Sequence, residues 1–274
     1  MIRKYSIKMI SLLLWVGMTL PMHTLEMGLD AISVHKNVFD AQQMLPFASV
    51  ASATSLGVIV NKTYHLPAHY RPDDLTTPDI RFTFDGAHEK RLLREPAARA
   101  AEALFQAAQA QGIQLLAVSG FRSFPTQQAL YAFKLQRQGE AHVSRYSAVA
   151  GASEHQTGLA LDVTSASVDF MLLPRFADTP EGQWLARHAH AYGFVMRYPE
   201  GKEHITGYAY EPWHIRYVDC SIAYVAFHQH LTLEEMNNNF YAIPWDRIDL
   251  TDTTSCPHNV TLHSSISDNT RVYR

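Results

Sequence analysis

Four side chains in two short motifs constrain this chain most, because together they supply the groups that a single reactive centre needs. They are His155 and Asp162 in Ser153-Glu-His155-Gln-Thr-Gly158-Leu-Ala160-Leu-Asp162-Val163, and Glu211 and His214 in Glu211-Pro-Trp213-His214-Ile-Arg-Tyr. Two imidazoles, a ligating carboxylate and a spare carboxylate meet the needs of a catalytic zinc centre. Zinc in hydrolases takes three protein ligands, leaves a fourth position open and works beside an acid that does not ligate.

Local patterning supports the grouping. Leu159-Ala-Leu-Asp162-Val163 reads as the opening of a buried strand, in which Asp162 takes one face and Leu161 and Val163 the other. The glycine turn at Gly158 lets His155 fold back beside Asp162. Trp213-His-Ile-Arg-Tyr-Val218, rich in aromatic and β-branched residues, reads as a second strand with Pro212 at its mouth. On this reading His155, Asp162 and His214 hold one zinc ion per chain, and Glu211 is free to move protons. A lone histidine near an aspartate, among fifteen histidines, is more often a hydrogen-bonded core or surface pair than a metal ligand. The Glu211-Pro-Trp213-His214 cluster lifts the metal reading above that.

At these residues the chain resembles the VanY-type D-alanyl-D-alanine carboxypeptidases, zinc peptidases that trim peptidoglycan stems. The family pattern Ser-x-His-x-x-Gly-x-Ala-x-Asp, followed by Glu-x-Trp-His, is filled at every specified position. Ser119-Gly-Phe-Arg122-Ser-Phe-Pro-Thr-Gln127 resembles the family's Ser-Gly-Tyr-Arg-Ser segment, with Phe121 in place of the usual tyrosine. Tyr192-Gly-Phe-Val-Met-Arg197-Tyr-Pro and Lys202-Glu-His-Ile-Thr206-Gly-Tyr resemble the approach to the second motif. The resemblance spans about residues 57 to 236. It implies zinc ligation by His155, Asp162 and His214, general-base chemistry by Glu211, and an arginine, Arg122, facing the scissile carbonyl oxygen. It also implies that Ser153 and Gln127 help hold the substrate and that Trp213 shapes the site. A fixed guanidinium suits Arg122's part, because it stabilises a developing oxyanion more than a ground-state carbonyl. The implied partner is a stem peptide ending in D-alanine.

The remainder of the chain sets the frame. Residues 1–25 pair a charged start with a short apolar run, as in an export signal or an N-terminal anchor, which points to the periplasm or cell envelope and to membrane attachment only through that segment. Residues 26–56 read as a linker, 57–236 as the catalytic domain, and 237–274 as a polar tail of unassigned role. A net charge of -3 gives no electrostatic case for nucleic acid. Cys220 and Cys256 are the two cysteines, and their spacing leaves a disulfide and two free thiols equally open.

Expected elements are a strand near Val58-Ile-Val60, a helix opened by Pro96 and stopped by Gly112, and a strand through Val118. A helix from Pro125 to Gln138 follows, then one from Pro180 to Tyr192 capped by Thr179, then strands near Phe194 and Trp213, and a last helix opened by the capping box Thr232-Leu-Glu-Glu235. His188 and His190, two apart on the third helix, are expected to be exposed. The fold class is α+β, with helices packed around a small, mainly antiparallel sheet that carries the zinc.

The leading expectation is removal of the terminal D-alanine from stem peptides. L,D-carboxypeptidase and D-Ala-D-Ala dipeptidase activities share the motifs. A serine mechanism would rest on Ser33-Val-His-Lys36 alone, which lies in the linker with no Lys-Thr-Gly partner. A non-catalytic wall-binding module is the alternative of a different class, and the spare carboxylate of Glu211 argues against it.

Overall fold

A computed structural model describes residues 53–239, all within one compact unit of the chain. In chain order the elements are β1 (Leu75–Thr76), β2 (Leu93–Arg94), α1 (Glu95–Ala110), β3 (Leu116–Ser119), α2 (Phe124–Gln138), α3 (Glu140–Tyr146) and β4 (Ala160–Thr164). They continue with α4 (Pro180–His188), β5 (Phe194–Met196), α5 (Glu203–Thr206), β6 (His214–Tyr217), α6 (Cys220–His228) and α7 (Leu233–Asn239). The expected α+β architecture is what forms: β1 and β2 make a small hairpin-like pair, and a four-stranded antiparallel sheet has the order β3-β4-β6-β5.

Helix α1 follows the pattern read for it. Pro96 lies in its first turn, where a missing N–H costs nothing. Ala97, Ala101, Leu104, Phe105 and Ala108 are buried, together with Ala98 and Ala100, against Ala117, Leu161, Val163 and Ile215 of the sheet. Fully burying a side chain such as Leu104 or Leu161 is worth about 1.5–3 kcal/mol. One face of the sheet therefore belongs to α1, and the other is left to polar chemistry. Strand alternation does the sorting: Leu161 and Val163 enter this core while Asp162 faces the opposite way.

Other helix ends also match their chemistry. The Thr179 hydroxyl accepts from the Gly182 N–H and caps α4. Thr232 and Glu235 form the reciprocal capping box at α7, with the Thr232 N–H donating to Glu235 and the Glu235 N–H to the Thr232 hydroxyl.

Three expectations are corrected. Val58, Ile59 and Val60 are buried but do not form a strand. Their backbone is committed elsewhere: the Val58 carbonyl accepts from Arg216 Nη2, and the Asn61 N–H donates to the Tyr64 carbonyl. The helix that begins at Pro180 stops at His188 and continues to Tyr192 as a 3-10 turn, closed by Gly193 at φ 81°. His188 and His190 are half-buried rather than exposed, because aromatic neighbours cover them. His188 stacks on Trp184, and His190 lies on Phe227 of α6 with ring centroids 3.7 Å apart.

The packed domain reaches back into the stretch read as a linker, where the Thr54 and Leu56 carbonyls accept from Arg94 and Arg216. Cys220 is disulfide-bonded. Cys256, Ser33, the export segment and all but the first residues of the tail lie outside the described residues. Among the described residues no helix is long and apolar enough to cross a membrane.

Candidate active site

Antiparallel register builds the site. Asp162 on β4 sits directly opposite His214 on β6, and Ser119 on β3 is Asp162's partner on its other side. Directly opposed residues bring their Cβ atoms to about 4.5–5.5 Å, so one row across the sheet places these groups together. A register irregularity between Ala117 and Ser119 accompanies the exit of β3 into the Gly120–Arg122 loop. His155 arrives on a 3-10 turn, Glu154–Thr157, that ends at Gly158 with φ 69°. A Cβ on Gly158 would press on Leu75 and Arg94 at 2.9 and 3.0 Å, so that turn needs glycine.

His155, Asp162 and His214 are all buried, and their ligating atoms lie within 4.8 Å of one another. The outward hydrogen bonds decide which nitrogens face inward. His155 Nδ1 lies 2.7 Å from the Gly120 carbonyl oxygen, which only accepts, so Nδ1 carries the proton and Nε2 faces Asp162 Oδ2 at 3.3 Å. His214 Nε2 lies 3.4 Å from a carboxylate oxygen of Glu154, so it donates there, and Nδ1 faces Asp162 Oδ1 at 3.1 Å. Both imidazoles thus turn their second nitrogen towards the aspartate between them, the one that would ligate a metal once deprotonated. Metal-binding histidines are commonly held in this way, through a carbonyl or carboxylate on the far nitrogen.

Electrostatics favour positive charge at the centre. Burial would lower the pKa of His214, but hydrogen bonds to Asp162 and Glu154 outweigh it and raise the value to about 9. Burial would raise Asp162, yet His155 and His214 hold it well below the ordinary carboxylate range. In the metal-free site His214 therefore carries a proton on Nδ1 that a zinc ion would displace, and the two imidazoles with the aspartate between them are a donor set that fits zinc.

Around the triad, the remaining predicted residues take distinct places. Glu211 is buried, with its carboxylate 3.8 Å from His214 Nδ1, and burial raises its pKa to about 7 against the pull of His214. Arg122 donates through Nη1 to Gln127 at 2.7 Å and through Nη2 to Ser119 at 2.9 Å, while its buried Nε–H has no protein partner. Gln127 spends its other end on the Ala148 carbonyl, so both ends of its amide are engaged and its bonds position Arg122. Ser153 precedes the 3-10 turn without capping it by its side chain. Trp213 packs into the main core and also borders the cavity. All eight residues line one cavity of about 460 Å³, within the usual range for small-molecule sites.

Two contributors escaped the sequence reading. Glu154 accepts from Arg197 Nε and Arg216 Nη1, both at 2.7 Å, through the oxygen it does not turn to His214. Burial would raise its pKa, but the two guanidinium groups hold it well below the usual carboxylate range. Tyr208 also lines the cavity, and its buried hydroxyl has no protein partner. The sequence signal for Glu154 was its place between Ser153 and His155, an unspecified position in the motif.

Residues 90–220 match the family model described as VanY, D-alanyl-D-alanine carboxypeptidase. The chain is 41% identical over 196 residues to the putative carboxypeptidase YodJ of Bacillus subtilis, covering 72% of each protein. Among solved structures, the LD-carboxypeptidase LdcB, reported for its recognition of peptidoglycan, aligns with TM-score 0.65 and 43% identity, covering 68% of this chain and 87% of LdcB. A mutant of a vancomycin-resistance D,D-pentapeptidase VanY in complex with Zn(II) aligns with TM-score 0.55 and 31% identity, covering 66% of this chain and 98% of that one.

Proposed function

Because the chain belongs to the VanY family of D-alanyl-D-alanine carboxypeptidases, we propose that it hydrolyses the last peptide bond of peptidoglycan stem peptides and releases D-alanine. The observation that carries this reading is the cross-strand pairing of Asp162 with His214, with Glu211 and Arg122 around the same cavity. His155 Nε2, an Asp162 oxygen and His214 Nδ1 would hold the zinc. When bound, zinc lowers the pKa of water and polarises a carbonyl oxygen.

The chain's own groups supply the rest. Glu211, buried beside the metal ligand His214, would take a proton at its carboxylate and return it to the leaving amine. Arg122 is held rigidly by Gln127 and Ser119, and it meets the oxygen that becomes negative when the scissile carbon turns tetrahedral. Ser153 and Tyr208 offer hydroxyls to the peptide backbone, and Trp213 lines the cavity wall beside His214.

A second reading, L,D-carboxypeptidase activity, is favoured by the likeness to LdcB. Pentapeptide and tetrapeptide stems, each assayed for D-alanine release with and without chelator, separate the two. Chelator-sensitive release from the pentapeptide supports the first reading, and release from the tetrapeptide alone supports the second. Release from neither, with zinc bound, would leave a D-Ala-D-Ala dipeptidase or a wall-binding module, which cleavage of the free D-Ala-D-Ala dipeptide separates. Penicillin should leave release unchanged, because no serine acyl-enzyme takes part.

We propose a location in the cell envelope. The apolar N-terminal segment and the disulfide at Cys220, a bond that persists in oxidising compartments, support that location.

A further inference from the structure

Helix α2 presents one stripe to the substrate cavity, made by Gln127, Leu130, Lys134 and Gln138 at spacings of three and four residues. The stripe begins at Gln127, which holds Arg122, and Lys134 stands two turns on, roughly 10 Å along the axis. Helical side chains lean back towards the N-terminal end, so a lysine here reaches towards the reacting centre. Its ammonium is fixed 3.0 Å from the Ser147 hydroxyl. Among the described residues no carboxylate lies within ion-pair distance of it. Burial is the largest influence lowering its pKa, the charge of Arg122 comes next, and Glu211 and Asp162 act in the opposite sense. Lys134 is therefore half-buried, within electrostatic reach of the catalytic groups, and bonded only to a neutral hydroxyl. Long cations that leave water without an acid partner are costly unless an anion arrives.

We propose that Lys134 is a substrate-specificity residue that takes a carboxylate of the peptide. The inference rests on the carboxypeptidase reading of the site. A peptide cut at its last bond carries its terminal carboxylate one residue beyond the scissile carbonyl, about 3.8 Å further along the chain. The N–H groups that Arg122 does not spend on Gln127 and Ser119 serve the oxyanion, which leaves the ammonium of Lys134, the other Lys or Arg side chain lining the cavity, for that second negative group. An acidic side chain earlier in the stem offers the same chemistry from another direction. The bland alternative is a partly solvated lysine whose only task is to tether Ser147.

Zinc-loaded wild type, Lys134→Met and Lys134→Arg decide between these with four peptides: free acid and C-terminal amide, each with and without an acidic side chain upstream. Lys134→Met should raise KM for the free acid on the order of 10- to 100-fold, the range for losing a charged hydrogen bond, with kcat nearly unchanged. The amide should show no such penalty, and Lys134→Arg should restore most of the binding. A penalty that follows the acidic side chain instead keeps the proposal and assigns that carboxylate as the ligand. An unchanged KM on every peptide, or an equal penalty on all four peptides whatever carboxylates they carry, overturns it. Zinc content and melting temperature, measured on each variant, distinguish misfolding from lost recognition. If wild type cleaves no peptide, the carboxypeptidase reading fails, and calorimetry with a non-hydrolysable phosphinate dipeptide still tests Lys134. Weaker binding to Lys134→Met then supports the carboxylate site, and equal binding refutes it.

Discussion

Glu154 serves three neighbours at once: it receives Arg197 and Arg216 on one oxygen and turns the other to His214. Replacing it by Gln should weaken zinc binding about 10- to 100-fold, as measured by competition with a chromogenic chelator, because the amide no longer fixes His214 with the same charge. Two buried guanidinium groups would also lose their shared anion, at a cost of about 3–5 kcal/mol in unfolding free energy. Glu211→Gln should behave differently, keeping zinc while turnover falls by roughly 10²–10⁴-fold. Glu211 also has a stability signature in metal-free protein. Its folded pKa of about 7 exceeds the ordinary 4.5, so the stability it contributes is full below about 4.5 and is lost as pH rises through 7. The size is on the order of 3 kcal/mol. Melting curves of metal-free wild type should therefore fall relative to Glu211→Gln between these pH values, and parallel curves would contradict the raised pKa. Most of this chemistry was legible in the sequence because the reactive groups sit in compact motifs. Glu154 was not, since the partners that define it, Arg197 and Arg216, lie far downstream and only the folded sheet assembles them.

At the level of elements, the loop after β3 transmits backbone geometry to the metal ligands. The Gly120 carbonyl fixes His155, and Gly120 itself lies so close to the segment before β2 that a Cβ would collide with the Leu92 carbonyl oxygen. Gly120→Ala should push the loop outwards, lowering both melting temperature and zinc affinity, whereas alanine at the open Gly112 should strain only that glycine's local turn. Full zinc affinity in Gly120→Ala would show that His155 does not depend on the loop. Helices α1, α2 and α4 could be read from proline, cap and stripe. Helix α6 could not, because Ile222, Ala223, Val225, Ala226 and Phe227 leave no clear polar face for periodicity to detect. Val58–Val60 misled in the opposite way: a β-branched run signals a strand, but Arg216 claims the backbone oxygen that a ladder would use.

Across the molecule, the metal ligands join three separate segments: the 3-10 turn, β4 and β6. Zinc at a thousand times its dissociation constant would add about 4 kcal/mol to folding. Chelation should then lower the melting temperature by roughly 10 °C in a domain of this size. His214→Ala should already lack that increment and show almost no chelator response. A second connection runs from the same centre to the last described helix. Arg197, which braces Glu154, is itself neutralised by Glu234 of α7 through bonds of 2.9 and 2.6 Å, and Asn61 donates to Glu234 from the opposite end of the domain. The family match stops at residue 220, before α7 begins. Anyone cloning the smallest working enzyme would be tempted to cut there, since every reactive group is retained. Such a fragment would keep two guanidinium groups in a dry interior with one carboxylate between them, and it should be recovered in inclusion bodies. A fragment running through residue 239 should remain in the supernatant.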